Sequence, residues 1–143
     1  MSCTRRKFLE QSGWLVVAGT CGSLLPMLFQ GCGPARLVQA SVVDGKITVD
    51  RTLFTEPGFV LVQAERLQAP IYVGRTTNAP VSAVLMLCTH KGCVLEPAGN
   101  YLTCPCHGSE FSAAGKLIKE PALTDLKSYR ITENEQHVII HIA

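Results

Sequence analysis

The sequence predicts an all-β domain, a small antiparallel sandwich or barrel, preceded by an N-terminal segment of different character. Three observations carry that prediction. Beyond residue 35 the apolar runs are strand-length, several alternate apolar with polar residues, and Gly, Pro, Asn or Asp interrupts them at short intervals. No run there is long enough for a good helix.

Taken in order, "LVQASVVDGKITVD" alternates on both sides of Asp44-Gly45, a strong two-residue turn signal, and predicts that the domain opens with two paired antiparallel strands. "GFVLVQA", "PIYVGRT" and "VSAVLML" follow as strands bounded by Pro57-Gly58, Pro70, Asn78 and Pro80. Gly115 marks a further hairpin. "LKSYRIT" and "HVIIHI" flank a polar turn over Glu133 to Gln136 and close the domain. His137 and His141 fall on that last alternating strand, where they read as surface or edge residues rather than metal ligands.

Composition narrows the function classes. A net charge of +2 with 17% charged residues gives no nucleic-acid footprint, and the dense basic cluster, Arg5, Arg6 and Lys7, stands at the extreme N-terminus. From Gln11 to Ala35 no residue is charged. This is the layout of an export signal, and "TRRKFLE" resembles the twin-arginine form, with Arg5, Arg6, Phe8 and Leu9 carrying the match. Residues 1–32 are therefore expected to be a signal or anchor helix. Its fates are retention as a membrane anchor, lipidation of Cys32 in the lipobox-like "LFQGC", or cleavage after "VQA". Cys3 and Cys21 belong to this segment as small apolar residues. The remaining domain, 33–143, is small enough that a metal centre or a disulfide would contribute materially to its stability.

"LCTHKGCVLEPAGNYLTCPCHGSEF", residues 87–111, concentrates four cysteines and two histidines. They form two similar groups, Cys88-Thr-His90-Lys-Gly-Cys93 and Cys104-Pro-Cys106-His107-Gly-Ser109. One thiolate and one imidazole from each would make a Cys₂His₂ zinc site. That reading leaves Cys93 and Cys106 without a role, and Cys88-x-His90 is tighter than ordinary zinc-finger spacing. Gly92, Gly108 and Pro105 predict tight loops whose backbone amides turn toward inorganic sulfide.

The boxes "CTHKGC" and "CPCHGS" closely resemble those of Rieske iron–sulfur proteins, over about 40 residues within a cluster-binding part at about 81–123. The resemblance implies one [2Fe–2S] cluster, with Cys88 and Cys104 on one iron and His90 and His107 on the other. It also implies a disulfide between Cys93 and Cys106, which suits an oxidising compartment, and a hydrogen bond from Ser109 to a bridging sulfide. "KLIKEPALTDL" is similar to the family's proline loop, with Glu120 and Leu123 in place of the usual Gly and second Pro. Two further departures are Lys91, where quinol-oxidising members carry Leu, and Phe111, where high-potential members carry Tyr. The implied function is electron transfer in a membrane quinol-oxidising complex of the cytochrome bc or bf type, with cytochrome b- or c-type partners. The alternatives are the small subunit of an exported molybdenum oxidase such as arsenite oxidase, partnered by its large subunit, and a stand-alone periplasmic carrier. All place the domain on the periplasmic or lumenal side, and retention of the anchor or lipidation of Cys32 tethers it to the membrane.

Overall fold

A computed structural model of the chain describes residues 36–54, 58–75 and 80–142. The expected signal, anchor and lipidation site at 1–32, including Cys32, lie outside the described residues. The described chain is almost entirely strand and loop: β1 (Arg36–Gln39), β2 (Lys46–Asp50), β3 (Phe59–Gln63), β4 (Ile71–Gly74), β5 (Ser82–Leu85), β6 (Glu96–Ala98), β7 (Tyr101–Thr103), β8 (Glu110–Ser112), β9 (Leu117–Lys119), β10 (Arg130–Glu133) and β11 (His137–His141). A single 3-10 turn, Arg51–Leu53, follows β2 and is capped by the Asp50 side chain on the Thr52 N–H. The described residues include no helix long and apolar enough to cross a membrane.

Three sheets result, in the orders β1-β3-β4-β5, β10-β11-β2 and β6-β7-β8-β9. The first two enclose one core. Ile47 and Val49 of β2 and Val138 and Ile140 of β11 meet Val60 and Val62 of β3 and Ile71 and Val73 of β4, all buried. The third sheet and its loops form a second core with Met86, Leu95, Leu102 and Phe111 at its centre. Strand β4 is buried at every position. Its alternate side chains point to opposite faces, so Ile71 and Val73 enter the first core while Tyr72, with Val84 of β5, enters the second. That shared pair of strands joins the cluster-binding part to the sandwich.

The first expected strand pairing is corrected. The turn forms as read, with Asp44 at φ 49° and Gly45 at φ 69°, and Val43 and Lys46 exchange hydrogen bonds of 3.0 and 2.9 Å. The strands then part. β1 pairs parallel with β3, and β2 pairs antiparallel with β11, placing Val49 opposite Val138 and Ile47 opposite Ile140. Alternation specifies which face of a strand is buried but not which strand lies beside it, and the long-range apolar match with β11 prevails over the local one. His137 and His141 lie on the outer face of β11, as the surface reading expects, but not at an edge, because β11 is the central strand of its sheet.

The two later hairpins form where the sequence places them. Asn134 accepts the N–H groups of Gln136 and His137 to close β10–β11. Gly115, at φ 81°, closes β8–β9, and a Cβ there would stand 2.9 Å from Val84 Cγ1, so glycine is required by both conformation and space.

Candidate metal centre

The two cysteine–histidine groups occupy loops of duplicate geometry. In the loop leaving β5, the Cys88 N–H donates to the Cys93 carbonyl at 2.8 Å and the Gly92 N–H to the Cys88 carbonyl at 2.8 Å. In the loop between β7 and β8, the Cys104 N–H donates to the Ser109 carbonyl at 2.8 Å and the Gly108 N–H to the Cys104 carbonyl at 2.9 Å. Gly92 and Gly108 sit at φ 74° and 78°, the left-handed conformation that such a closure needs. The expectation that the loop amides turn toward sulfide is corrected for these four, because they are spent in closing the loops.

Sequence and loop geometry together bring the named residues into one place. Cys88 and Cys104 are free thiols, 3% and 2% exposed, within the second core. The rings of His90 and His107 meet edge to face with centroids 4.8 Å apart. A disulfide joins Cys93 to Cys106 and so ties the two loops together. The sulfurs of Cys93, Cys104 and Cys106 lie within 4.8 Å of one another. Since Cys93 and Cys106 are bonded to each other, only Cys104 of these three is available as a thiolate.

A third segment covers the loops. Ser109, fully buried, accepts the Ala122 N–H on its hydroxyl at 3.0 Å, and the Thr89 hydroxyl donates to the Thr124 carbonyl at 2.7 Å. Ala122 is buried while Leu123, beside it, is 82% exposed. Asp125 anchors the segment's far end, accepting the Leu117 N–H at 2.8 Å and the Lys116 ammonium at 2.7 Å. The Lys116 hydrogen bond, followed by that from Leu117, holds the Asp125 carboxyl below its usual range. The segment is the one read as a proline loop. Thr89 and Asp125 were not singled out from the sequence, because their partners lie across the fold and no local pattern names them.

The comparisons with known proteins agree with this geometry. The model of the Rieske [2Fe-2S] domain family matches residues 45–130, more than half of the chain. This chain belongs to the Rieske family. It is 33% identical to the cytochrome b6-f complex iron-sulfur subunit of Synechococcus sp. (strain JA-3-3Ab), over 94% of this chain and 85% of that protein. It is 34% identical to the subunit of the same name from Chlorobaculum tepidum, over 44% of this chain and 36% of that protein. The chain thus spans nearly all of one such relative and about a third of the other. Among solved structures it resembles the plasma-membrane Rieske protein of the cyanobacterium Synechocystis, with TM-score 0.55 and 28% identity over 64% of this chain and 97% of that one. A chain of a hyperthermophilic respiratory complex III shares the fold, with TM-score 0.52 and 18% identity over 64% of this chain and 71% of that one.

The family's cofactor is a [2Fe–2S] cluster, and the residues present fit it. His90 Nδ1 is buried without a hydrogen-bond partner, a costly state for an imidazole nitrogen that a metal bond would relieve. Two buried thiols and two adjacent imidazoles, one from each loop, form the donor set of a Rieske centre. We therefore propose Cys88, Cys104, His90 and His107 as the ligands, and Ser109 as a hydrogen-bond donor to the cluster. Its hydroxyl proton is not used by the Ala122 contact.

Three outcomes are expected. Cys88→Ser should yield a colourless protein, whereas Cys93→Ser with Cys106→Ser should still assemble the cluster but bleach at a lower temperature, as visible absorbance during heating will show. Equal bleaching of the double variant and the wild type would remove the disulfide's stabilising role. Asp125 has a folded-state pKa below its unfolded value of about 3.8, so its contribution is present above that value and lost as pH falls through the folded one. The urea midpoint should therefore drop further between about pH 5 and pH 3 in the wild type than in Asp125→Asn.

Proposed function

We propose that the protein is the electron-transfer subunit of a membrane quinol-oxidising complex of the cytochrome bc type. The observation that carries this reading is the likeness, over almost its whole length, to a b6-f iron–sulfur subunit. Supporting it is the way the ligand side chains are presented. Both proposed thiols are buried, while His107 is exposed and His90 half-buried, so a docked redox partner meets the imidazole edges. Exposed Val94 and Leu123 flank the same loops with apolar surface. The bound cluster supplies a one-electron acceptor. Cys88, Cys104, His90 and His107 would hold it; the core excludes water from the two thiols, and His107 offers an exposed imidazole where a quinol hydroxyl can hydrogen-bond.

Export by the twin-arginine route is part of the proposal, since that route moves folded proteins and delivers Cys93 and Cys106 to a compartment where their disulfide persists. The signal residues and Cys32 lie outside the described residues. Lys91 is exposed at the tip of the first loop. An ammonium there suits an acidic docking surface, such as that of a cytochrome, better than a wholly apolar pocket. The alternative setting, as small subunit of an exported molybdenum oxidase, predicts reduction by that enzyme and none by the quinol-oxidising complex.

The test is reduction of the purified, cluster-loaded complex by quinol, followed by the electron-paramagnetic signal of the reduced Rieske centre. Appearance of the signal on adding quinol and its absence in the Cys88→Ser complex supports the reading; a cluster that quinol never reduces sinks it. The second expectation concerns potential. Phe111 is fully buried in the core that also contains Cys88 and Cys104. A tyrosine there adds a hydroxyl donor toward a ligand sulfur, and a hydrogen bond to a charged acceptor is worth roughly 1.5 to 3 kcal/mol. At about 59 mV per 1.4 kcal/mol for one electron, Phe111→Tyr should raise the midpoint by on the order of 60 to 130 mV. An unchanged or lowered midpoint in potentiometric titration would show that position 111 does not face the sulfur.

A further inference from the structure

Three strands of the second sheet carry a row of basic side chains. Arg130 on β10 is the direct cross-strand partner of His141 on β11, and His141 is in turn the partner of Lys46 on β2. Directly opposed residues of neighbouring strands share a face with Cβ atoms about 5 Å apart, and like charges so placed destabilise a sheet. The contact is direct in the structure, with Arg130 Nη2 3.3 Å from His141 Nδ1. Arg130 can only donate, so Nδ1 accepts and Nε2 carries the proton, which it gives to the Thr132 hydroxyl at 2.9 Å.

The row faces a depression of about 380 Å³, whose rim also carries Lys127, Tyr129 and Asp44. Elsewhere three carboxylates are paired: Glu133 with Arg51 and Arg75, Asp125 with Lys116, and Glu110 with Lys119. Among the described residues no carboxylate lies within ion-pairing distance of Lys46, Lys127 or Arg130. Tyr129, whose ring lies 5.2 Å beneath the Lys127 ammonium, fixes that charge at the rim. The fold thus concentrates three fixed positive charges and a histidine on one concave surface, where Asp44 is the single carboxylate among the described residues that line it. The depression also falls within the size range of small-molecule sites, large enough for a phosphate and a short organic substituent.

We propose that this depression binds a phosphate ester, with Lys46, Arg130 and Lys127 as the cations that hold the phosphate oxygens. Arg130 supplies the planar fork that a phosphate accepts from two nitrogens, and the lysines add point charges on either side. His141 makes the site responsive to pH. The groups facing it are Arg130 and Lys46 from the two neighbouring strands and Lys127, Tyr129 and the carboxylate of Asp44 from the rim. Desolvation, then the charges of Arg130 and Lys46, keep its pKa below the usual histidine value, so it is neutral when the site is empty at neutral pH. Protonation of Nδ1 on acidification turns that nitrogen into a donor, frees the Arg130 guanidinium from it and adds a positive charge. Phosphate affinity then rises as pH falls. A soluble monoester and a lipid diester headgroup both present anionic phosphate oxygens to these cations.

The experiment uses the cluster-loaded protein, with sn-glycerol 3-phosphate as the soluble probe and vesicles of phosphatidylcholine with and without phosphatidylglycerol as the membrane probe. Binding is read by calorimetry for the first and by co-sedimentation for the second, at constant ionic strength. Saturable binding of either probe is expected, about tenfold weaker or more in Arg130→Gln and in Lys46→Gln, one charge-assisted contact being lost in each. With phosphatidylglycerol vesicles, whose diester stays monoanionic over this range, the wild type should bind at least about threefold more tightly at pH 5.5 than at pH 7.5, a difference abolished in His141→Gln. With glycerol phosphate, whose second proton titrates at about pH 6, the wild type should exceed His141→Gln by about that factor at pH 5.5 and match it at pH 7.5. Saturable glycerol phosphate binding without preference for phosphatidylglycerol assigns the site to a soluble ester, and binding confined to phosphatidylglycerol vesicles assigns it to a lipid headgroup. Visible circular dichroism of the cluster, unchanged in each variant, verifies the fold, and Lys127→Gln provides an independent variant should one of the others fail to fold. Absence of saturable binding to both probes, or equal binding by wild type and variants, overturns the proposal.

Discussion

The apolar cluster beneath the two loops is what the rest of the metal centre depends on. Leu102 from β7, Phe111 from β8, Met86 beyond β5 and Leu95 before β6 are all fully buried, and Cys88 and Cys104 are members of the same cluster. Burying side chains of this size contributes roughly 1.5 to 3 kcal/mol each. That energy fixes the strand ends from which the loops spring, and it keeps water from the thiols. The proposed ligand sulfurs are therefore held by the core itself, while the imidazoles stand at its surface.

On that base the loops need a cross-link and a cover. The disulfide closes a span of 13 residues, which in the chain-entropy description is worth roughly 3 kcal/mol. It fixes one loop against the other without occupying a ligand position. The cover is held by polar contacts at three points along its length, at Ser109, Thr89 and Asp125, in each case with a backbone group as one partner. Backbone contacts tolerate changes in neighbouring side chains. This is why Glu120 and Leu123 can replace the residues usual in this family while Ala122 still packs into the core.

The charge distribution separates two ends of function. Near the proposed ligands the surface is apolar at Val94 and Leu123 with one ammonium at Lys91. On the second sheet a basic row is assembled from Lys46 and from Arg130 and His141 of the β10–β11 hairpin, brought together by strand register. A net charge of +2 conceals this concentration. Composition reports the sum of charges, whereas binding depends on which of them share a face.

The fold class, the Asp44-Gly45 and Gly115 turns and the two boxes from which the proposed ligands are drawn were legible in the sequence alone. Short alternating runs and left-handed turn positions such as Asp44-Gly45 and Gly115 are local properties, and they are found where the pattern placed them. The two cysteine–histidine boxes were legible because each set of donors is packed into one short loop. Tertiary structure decided the partners. β2 joins β11 rather than β1 because its apolar face is completed by Val138 and Ile140, nearly ninety positions away, and alternation carries no information about such distance. The same physics hid Thr89 and Asp125, hydroxyl and carboxylate side chains that acquire a role only when a distant backbone group is brought within hydrogen-bonding range. It also moved His141 from an expected edge to the centre of a sheet, where Arg130 and Lys46 stand on either side.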